Sequence, residues 1–358
     1  MRDERTDAGQ VLLMHDSVAS KSQSKTRMSG SFRTSSDRTK YWILMGVLLA
    51  GSLLATFGLL AYDNPMPFGT RRFWIIAQRR ADAVTAMGIV ALCQAVSTIA
   101  FQTVANNKII TPGIMGFQSL YAAIHTSTIF FFGATGLLNA RTFEMFLFQI
   151  LVMVGFSFLL YGWLLRGKNA NMHSMLLVGI ILGGGLGSLS TFMQRMLTPS
   201  EFDILTARLF GSVNNAEAEY YPVAVPLVVG SALILFFLSK KLNVISLGRE
   251  TAENLGVTFS RIALTVLVLV AVLSAVSTAL VGPMIFLGFL VAMLTYQSAP
   301  TYDHKYLFPL ASLLAYLVLT LSYFLMNHIF SAQGVVSIII EFVGAVVFLT
   351  IILRKGAL

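Results

Sequence analysis

The sequence predicts an all-α integral membrane protein with about ten transmembrane helices. Of its 358 residues, 56% are hydrophobic and 11% are charged, and the mean hydropathy is +0.76. That is more apolar surface than one soluble core of this length can hide. The apolar residues also fall into runs of roughly 20, the length that a helix needs to cross a bilayer. The single cysteine, Cys93, lies inside such a run, which excludes a disulfide framework, a cysteine-based zinc site and an iron–sulfur cluster.

The chain divides into two parts. Residues 1–40 are rich in Ser, Thr and charged side chains and predict a disordered basic cytoplasmic tail, whereas residues 41–358 predict the transmembrane domain. No signal-peptide apolar segment precedes residues 41–62, so we expect these to form a retained first helix. Nine further helices are predicted near 81–104, 114–133, 143–165, 174–194, 221–239, 261–281, 284–296, 306–326 and 335–353. The eighth helix of the ten, near 284–296, is the shortest, and a re-entrant segment is the alternative for it.

The distribution of basic residues predicts the topology. If the amino terminus is cytoplasmic, 18 of the 25 Lys and Arg residues lie inside and 7 outside. Such an excess is typical of cytoplasmic loops, so both termini are expected in the cytoplasm. The basic residues are scattered among connectors and form no aromatic-interleaved patch, which argues against nucleic-acid binding.

The sequence carries no enzyme signature. It lacks G-x-x-x-x-G-K-[ST], H-E-x-x-H and G-x-S-x-G, so we expect no ATP hydrolysis by this chain itself. Its five histidines lie in separate segments, and their spacing predicts no metal site.

Polar residues within the apolar runs are candidates for function because each is costly in hydrocarbon. Gln94, Ser97, Thr98 and Gln102 recur at helical spacing and form one polar stripe. The stripe indicates either the lining of a transport pathway or hydrogen bonds between helices. Glu341 lies near the middle of the last apolar run, where it is either functional or a buried interface residue.

Small residues form a second pattern. Gly179, Gly183 and Gly187 recur every four residues on one face of the fifth predicted helix. Such a face lets helices approach closely in lipid. Two explanations of this face stay open, namely packing within the chain and a subunit interface.

The hydrophilic connector 239–260 predicts a cytoplasmic loop that holds a short helix, with Ser246 as N-cap and Gly256 as the C-terminal stop. The connector keeps apolar Leu247 and Leu255 beside charged residues. It therefore predicts a docking face for a partner protein.

At this loop the sequence resembles the iron-siderophore and cobalamin permeases of binding-protein-dependent ABC importers, whose loop reads L-x-L-G-x-x-x-A-x-x-L-G. Asn107 through Gly116 resembles the family's N-P-L-A-x-P-x-x-L-G. Three later stretches resemble G-x-I-x-F-[VI]-G, D-H-R-x-L-x-P and G-[AG]-P-x-F; they begin at Gly282, Asp303 and Gly344. Lys108 replaces the first loop proline and Ala292-Met293 replaces a Pro-His pair, which indicates a divergent branch and favours a heterodimer of two unlike permeases.

The resemblance implies a type II ABC importer permease bundle in the bacterial inner membrane. It implies a second permease subunit, a cytoplasmic ATPase dimer and a periplasmic or lipid-anchored solute-binding protein. ATP and Mg²⁺ would be bound by the ATPase, so no cofactor is expected in this chain. The implied substrate is a ferric siderophore, with haem or cobalamin as alternatives. An ion-coupled secondary transporter, motivated by Glu341 and the glycine-rich helix, and a non-transporting interaction protein are the competing classes.

The resemblance also assigns roles to residues. The ATPase-coupling loop would use Leu247, Gly248, Glu250, Ala252, Leu255 and Gly256. The binding protein would dock on outside arginines, namely Arg71, Arg72, Arg79 and Arg80. The pathway and its cytoplasmic gate would include Gln94, Ser97, Gln102, Asn107, Ile109, Met172 and His173.

Overall fold

The computed structural model describes residues 30–62, 66–67, 69–139, 142–164, 172–328 and 336–355. Within these ranges the chain contains thirteen α-helices, three short 3₁₀ turns and no strand, so the all-α prediction is confirmed. The helices are α1 Ser35–Ala61, α2 Arg71–Ala105, α3 Phe117–Asn139, α4 Phe143–Leu164, α5 Met172–Gln194, α6 Pro199–Leu209, α7 Tyr221–Phe237, α8 Ser239–Ile245, α9 Arg249–Asn254, α10 Phe259–Val281, α11 Ile285–Ser298, α12 His304–His328 and α13 Val336–Lys355. Most of the predicted tail, residues 1–29, lies outside the described residues.

Helices α2 and α10 form the centre of the bundle. They pack against each other, and α2 also contacts α12, α11, α7 and α1. Within their most apolar stretches, 72% of α2 and 67% of α10 are buried, whereas α1 and α5 are 22% buried. The outer helices therefore expose apolar side chains such as Leu54 and Phe57 of α1. In a membrane protein this surface faces lipid, because lipid tails surround apolar side chains as favourably as the protein interior does.

Among the described residues, seven helices are long and apolar enough to cross a membrane, namely α1, α2, α4, α5, α7, α10 and α12. Helix α3 is interrupted at Gly133, whose φ of 70° and ψ of −175° are not helical. Helix α11 has 14 residues. At 1.5 Å per residue it is about 21 Å long, short of the roughly 30 Å hydrocarbon core. The short eighth helix expected from the sequence is therefore present.

The first helix begins earlier than the sequence prediction. Thr34 caps α1, and its hydroxyl oxygen accepts a hydrogen bond from the Asp37 N–H. Phe32, ahead of the cap, is 7% exposed and lies against Tyr41 and Tyr306. Helix α1 thus begins six residues before the predicted start at residue 41. The polar side chains at 35–40 had suggested a tail, but polar residues extend a helix readily once it has left the hydrocarbon.

The second helix also begins about ten residues before the predicted 81. Helix α2 has 35 residues, and Thr70 caps it by accepting a hydrogen bond from the Phe73 N–H. Phe73 and Ala77 are buried against the rest of the protein. The four outside arginines therefore stand on the first turns of a helix and not in a connector.

Candidate docking surfaces and transport pathway

The connector that was predicted to be cytoplasmic folds as two short helices, α8 and α9, joined by a segment that contains Gly248. Gly248 has a φ of +96° and is the N-cap of α9, while Ser246 ends α8 through its N–H bond to the Leu242 carbonyl. The prediction of Ser246 as N-cap was therefore wrong, because the chain needs a positive φ between the helices and glycine adopts it without strain. Gly256 ends α9 as predicted, with a φ of +80°.

The end of α9 is a Schellman motif. The Gly256 N–H bonds to the Glu253 carbonyl, and the Val257 N–H bonds to the Ala252 carbonyl. On the solvent side, the Arg249 guanidinium pairs with the Glu253 carboxylate at 3.0 Å. These contacts hold α9 in a defined orientation although it has only six residues.

Two exposed leucines lie on this loop, and its role as a docking face stays a prediction. Leu247 is 59% exposed and Leu255 is 60% exposed, whereas Ala252 is fully buried on the opposite side of α9. Exposed leucines beside Glu250, which is also exposed, give a small apolar patch with a charged rim. Because the two glycines fix the ends of α9, the patch is presented as one preformed surface.

The predicted polar stripe of α2 faces the interior of the bundle. Gln94 donates a hydrogen bond from Nε2 to the Ser277 hydroxyl of α10 at 3.1 Å. Ser97 and Thr98 are buried, and a Cβ added to Gly288 of α11 would overlap Thr98 Oγ1. In this conformation the stripe joins α2 to α10 and α11, as the interhelical alternative expects.

The loop after α2 is held by hydrogen bonds from its own residues. Gln102 donates from Nε2 to the Lys108 carbonyl at 2.8 Å, and Asn107 Oδ1 accepts from the Ile109 N–H at 2.9 Å. Asn106 ends α2 in the left-handed region, with a φ of 49°. The predicted gate residues of this loop are thus positioned together, whereas Met172 and His173 lie at the start of α5 and their side chains are outside what the structure describes.

The glycine face of α5 packs inside the chain. A Cβ on Gly183 would lie 3.0 Å from the Cα of Gly116, and a Cβ on Gly179 would lie 3.0 Å from the Met115 sulfur. A Cβ on Gly187 would lie 3.9 Å from the Ser119 hydroxyl oxygen. The intrachain alternative therefore accounts for these three glycines. The opposite side of α5, which includes exposed Ile181, Leu189 and Phe192, is left for lipid or another subunit.

The outside arginines differ in their surroundings. Arg80 donates from Nη1 to the carbonyl oxygens of Leu59 at 3.2 Å and Tyr62 at 2.8 Å, at the end of α1. It therefore satisfies carbonyl groups that the helix end leaves open. Arg71 and Arg72 are exposed, and their docking role stays a prediction; the side chain of Arg79 lies outside the described set.

Glu341 is half-buried on α13 and contacts the start of α11. Its carboxylate accepts a hydrogen bond from the Ile285 N–H. Nearby, a Cβ on Gly344 would lie 2.9 Å from the Phe286 Cβ, so the two helices meet closely here. Glu341 therefore caps the N-terminus of a short helix, which is a use for a carboxylate that the sequence did not suggest.

Helix α6 was missed by the sequence analysis. It begins with Thr198-Pro199-Ser200-Glu201, and the Glu201 carboxylate accepts from the Thr198 N–H at 3.0 Å, so the pattern of a capping box was readable. Leu205 of α6 packs on Ile129 of α3, and both are buried. The connector after α6 then reaches the turn between α10 and α11, where Gly211 lies against the Pro283 carbonyl.

No group of three His, Cys, Asp or Glu residues that could hold a metal ion occurs in the described part of the chain. The turn between α10 and α11, from Gly282 to Met284, is held by backbone hydrogen bonding. Ser212 donates its N–H to the Val281 carbonyl at 2.7 Å, and Gly282 has a φ of +91°. The α6 connector thus closes over the start of α11.

The comparisons with known proteins agree on one family of transport proteins. The FecCD transport family matches residues 44–354. The chain is 52% identical over 341 residues to the petrobactin import system permease protein FatC of Bacillus anthracis, which covers 95% of this chain and 96% of that protein. It is 35% identical over 310 residues to the petrobactin import system permease protein YclO of Bacillus subtilis, covering 86% of this chain and 96% of that protein.

Two further similarities bear on fold and partners. The petrobactin import system permease protein FatD of Bacillus anthracis is 25% identical over 280 residues, covering 77% of this chain and 80% of that protein. A solved structure assigned to the metal-chelate type ABC transporters, in an inward-facing conformation, matches with a TM-score of 0.72 at 22% identity. It covers 88% of this chain and 99% of its own, and it supports the fold.

Proposed function

Because the chain belongs to the FecCD transport family, we propose that it is the permease subunit through which an ABC importer carries petrobactin-bound iron into a bacterial cell. The family resemblance predicted from the loop motifs is confirmed. The chain is a multi-pass membrane permease and not an enzyme, and ATP hydrolysis belongs to a separate subunit in such systems.

The observation that supports petrobactin as the substrate is the 52% identity with one petrobactin permease, over 95% of this chain. A second petrobactin permease, from another species, is 35% identical. Iron-uptake and ferric enterobactin permeases match at 23% and 25%, so the sequence is more similar to the two petrobactin proteins than to these. This difference favours petrobactin over haem, cobalamin or other ferric siderophores.

For the topology we propose ten membrane segments with both termini in the cytoplasm of the inner membrane. The ten helices of at least 14 residues among the described ranges supply the segments. The excess of basic residues on the inner side supports the orientation. Residues 1–29 would then form a cytoplasmic extension ahead of α1.

The partner permease is proposed to be a different chain. FatC and FatD of Bacillus anthracis are both named permeases of a petrobactin import system, and this chain is 52% identical to the first and 25% to the second. A pair of unlike permeases agrees with the departures from the family motifs at Lys108 and at Ala292-Met293. We therefore expect a heterodimer, completed by two ATPase subunits and a solute-binding protein, with ATP and Mg²⁺ bound by the ATPase.

In this assembly the patch of Leu247 and Leu255 docks on the ATPase, and Arg71 and Arg72 meet the binding protein. Burial of exposed leucines supplies affinity on the cytoplasmic side, because apolar area is removed from water. Exposed arginines mainly steer encounter and set register. The loop 107–109 and the start of α5 form the cytoplasmic gate, whereas the polar stripe of α2 holds α2 against α10 and α11.

Uptake in cells tests the substrate. A strain that lacks its petrobactin permeases would be complemented with this chain and its partner permease, and supplied with radioactive iron bound to petrobactin, enterobactin or a hydroxamate. We expect accumulation from petrobactin alone. Equal accumulation from all three chelates, or none from petrobactin with the protein present in the membrane, would refute the assignment.

A further inference from the structure

His304 lies where three elements meet at the cytoplasmic side of the bundle. It is the first residue of α12 and is 3% exposed. Thr103 belongs to the last turn of α2, three residues before the helix ends at Asn106. Asn243 belongs to α8, four residues before Leu247 of the docking patch. We call Thr103, Asn243 and His304 the His304 junction.

Both ring nitrogens of His304 are used. Nδ1 lies 2.6 Å from Asn243 Oδ1, and Nε2 lies 2.7 Å from Thr103 Oγ1. The Asn243 amide is oriented by its neighbours, because its oxygen accepts the His304 N–H at 3.0 Å and its Nδ2 donates to Asp303 Oδ1 at 2.8 Å. Nδ1 must therefore carry a proton and donate it to Asn243. In the neutral ring, Nε2 then shares the single Thr103 hydroxyl proton with the Ile99 carbonyl, which lies 2.8 Å from Thr103 Oγ1.

Asp303 holds the junction from the side. Burial raises the pKa of its carboxyl, but hydrogen bonds from Asn243, Ser31 and the Lys305 N–H outweigh this and hold the pKa below its ordinary value. The carboxyl is thus ionised at neutral pH and fixes the Asn243 amide. Because Ser31 precedes α1, the same carboxylate also joins the amino-terminal segment to this corner.

The junction connects the docking connector to the gate loop. Leu242 and Ile245 of α8 are fully buried, so α8 is anchored in the body and cannot move without moving its neighbours. On the other side of His304, the end of α2 leads directly into the loop that contains Asn107. A push on the docking patch therefore reaches α2 through two short hydrogen bonds, and such contiguous contacts are the kind of path that carries energetic coupling.

We propose that His304 is a positioning residue for transport, which transmits movement of the ATPase-docking loop from Asn243 to Thr103 and so to the cytoplasmic end of α2. The proposal rests on the proposed function, since it needs an ATPase on the docking patch. It goes beyond that function by naming the residue through which nucleotide-driven movement reaches the gate loop. No other described histidine bonds at the same time to the docking connector and to α2.

The test uses two conservative variants that each keep one half of the junction. An asparagine amide can replace Nδ1 and bond to Asn243 but does not reach Thr103, whereas a glutamine amide reaches toward Thr103 and leaves Asn243. Both H304N and H304Q therefore break the connection while keeping one buried hydrogen bond. The complete complex with each variant would be reconstituted in proteoliposomes, and iron-petrobactin uptake and ATP hydrolysis measured together.

We expect uptake per ATP hydrolysed to fall about tenfold in both variants, within the range of about 5- to 150-fold typical of coupling between two sites. Assembly of the complex and its unfolding temperature should stay close to wild type. Unchanged uptake per ATP in both variants would overturn the proposal. So would a loss of assembly or unfolding temperature with the ratio unchanged, because that pattern belongs to a purely structural residue.

A double-mutant cycle adds a second readout. If N243A and T103V interrupt the same path, the double variant should lose no more coupling than the stronger single variant. Additive losses would overturn the serial path. The matched control is T320V, because Thr320 is also a buried threonine whose hydroxyl bonds back to a carbonyl of its own helix, at 2.8 Å, as Thr103 does. If the wild-type complex carries no petrobactin, the proposed function fails. If the wild-type complex carries petrobactin and the variants behave as it does, the junction proposal alone fails.

Discussion

Replacement of Leu247 and Leu255 by alanine should weaken binding of the ATPase without unfolding the permease. Full burial of a leucine side chain stabilises by about 1.5–3 kcal/mol. Since 59% of Leu247 and 60% of Leu255 is exposed and available for a partner to bury, the two together contribute about 2–4 kcal/mol. At about 1.4 kcal/mol per factor of ten, the double variant should bind roughly 30- to 700-fold more weakly.

The assay is titration of the ATPase onto the permease dimer in lipid nanodiscs, with an unfolding temperature measured on the same samples. Leu353 is a matched control, because it is 72% exposed on α13 and lies outside the patch. L353A should bind the ATPase as the unchanged protein does. If the double variant binds within about twofold of the unchanged protein, the docking patch does not supply the affinity reasoned here.

Three further results are expected. G288A should lower the free energy of unfolding by about 1–3 kcal/mol, because its Cβ overlaps Thr98 Oγ1, and T98A should restore it in a thermal unfolding assay; no rescue would contradict the overlap. R80A should cost about 1–3 kcal/mol of unfolding free energy, since it leaves two carbonyl groups at the end of α1 without their charged donor. By contrast, R71A with R72A should slow association of the binding protein at low salt and leave the unfolding temperature unchanged; equal association rates at low and high salt would contradict steering.

The helices could be predicted from the sequence because apolar runs of membrane length are read directly. Their starts could not. Helix α1 begins six residues before the predicted start at residue 41 and α2 ten residues before the predicted start at residue 81, where Thr34 and Thr70 cap them. The sequence marked those residues as connectors because hydropathy reports only what lies in lipid.

For the candidate sites, spacing predicted which residues share a face but not what that face meets. The stripe with Gln94 and the glycines with Gly183 were both identified, and only the structure shows Ser277 and Gly116 opposite them. The docking loop was predicted with its final glycine, yet the N-cap was assigned to Ser246. Serine is a common N-cap, whereas the positive φ at Gly248 follows from the angle between α8 and α9, which no local pattern contains.

Glu341 illustrates the same limit. One acidic residue in an apolar run left a functional role and a buried interface role open, and in the structure its carboxylate meets the N–H of Ile285 at the start of α11. That partner lies 56 positions away in the sequence, between residues 285 and 341. A contact of such separation has no sequence signature without the fold.

The most direct test of the account is uptake by the purified system in proteoliposomes. The chain would be reconstituted with its partner permease, ATPase and binding protein, and uptake of radioactive iron bound to petrobactin compared with ATP, with a non-hydrolysable analogue, and with a proton or sodium gradient alone. The account predicts accumulation with ATP only, unchanged when ionophores dissipate the gradients. Accumulation driven by an ion gradient without nucleotide would contradict it.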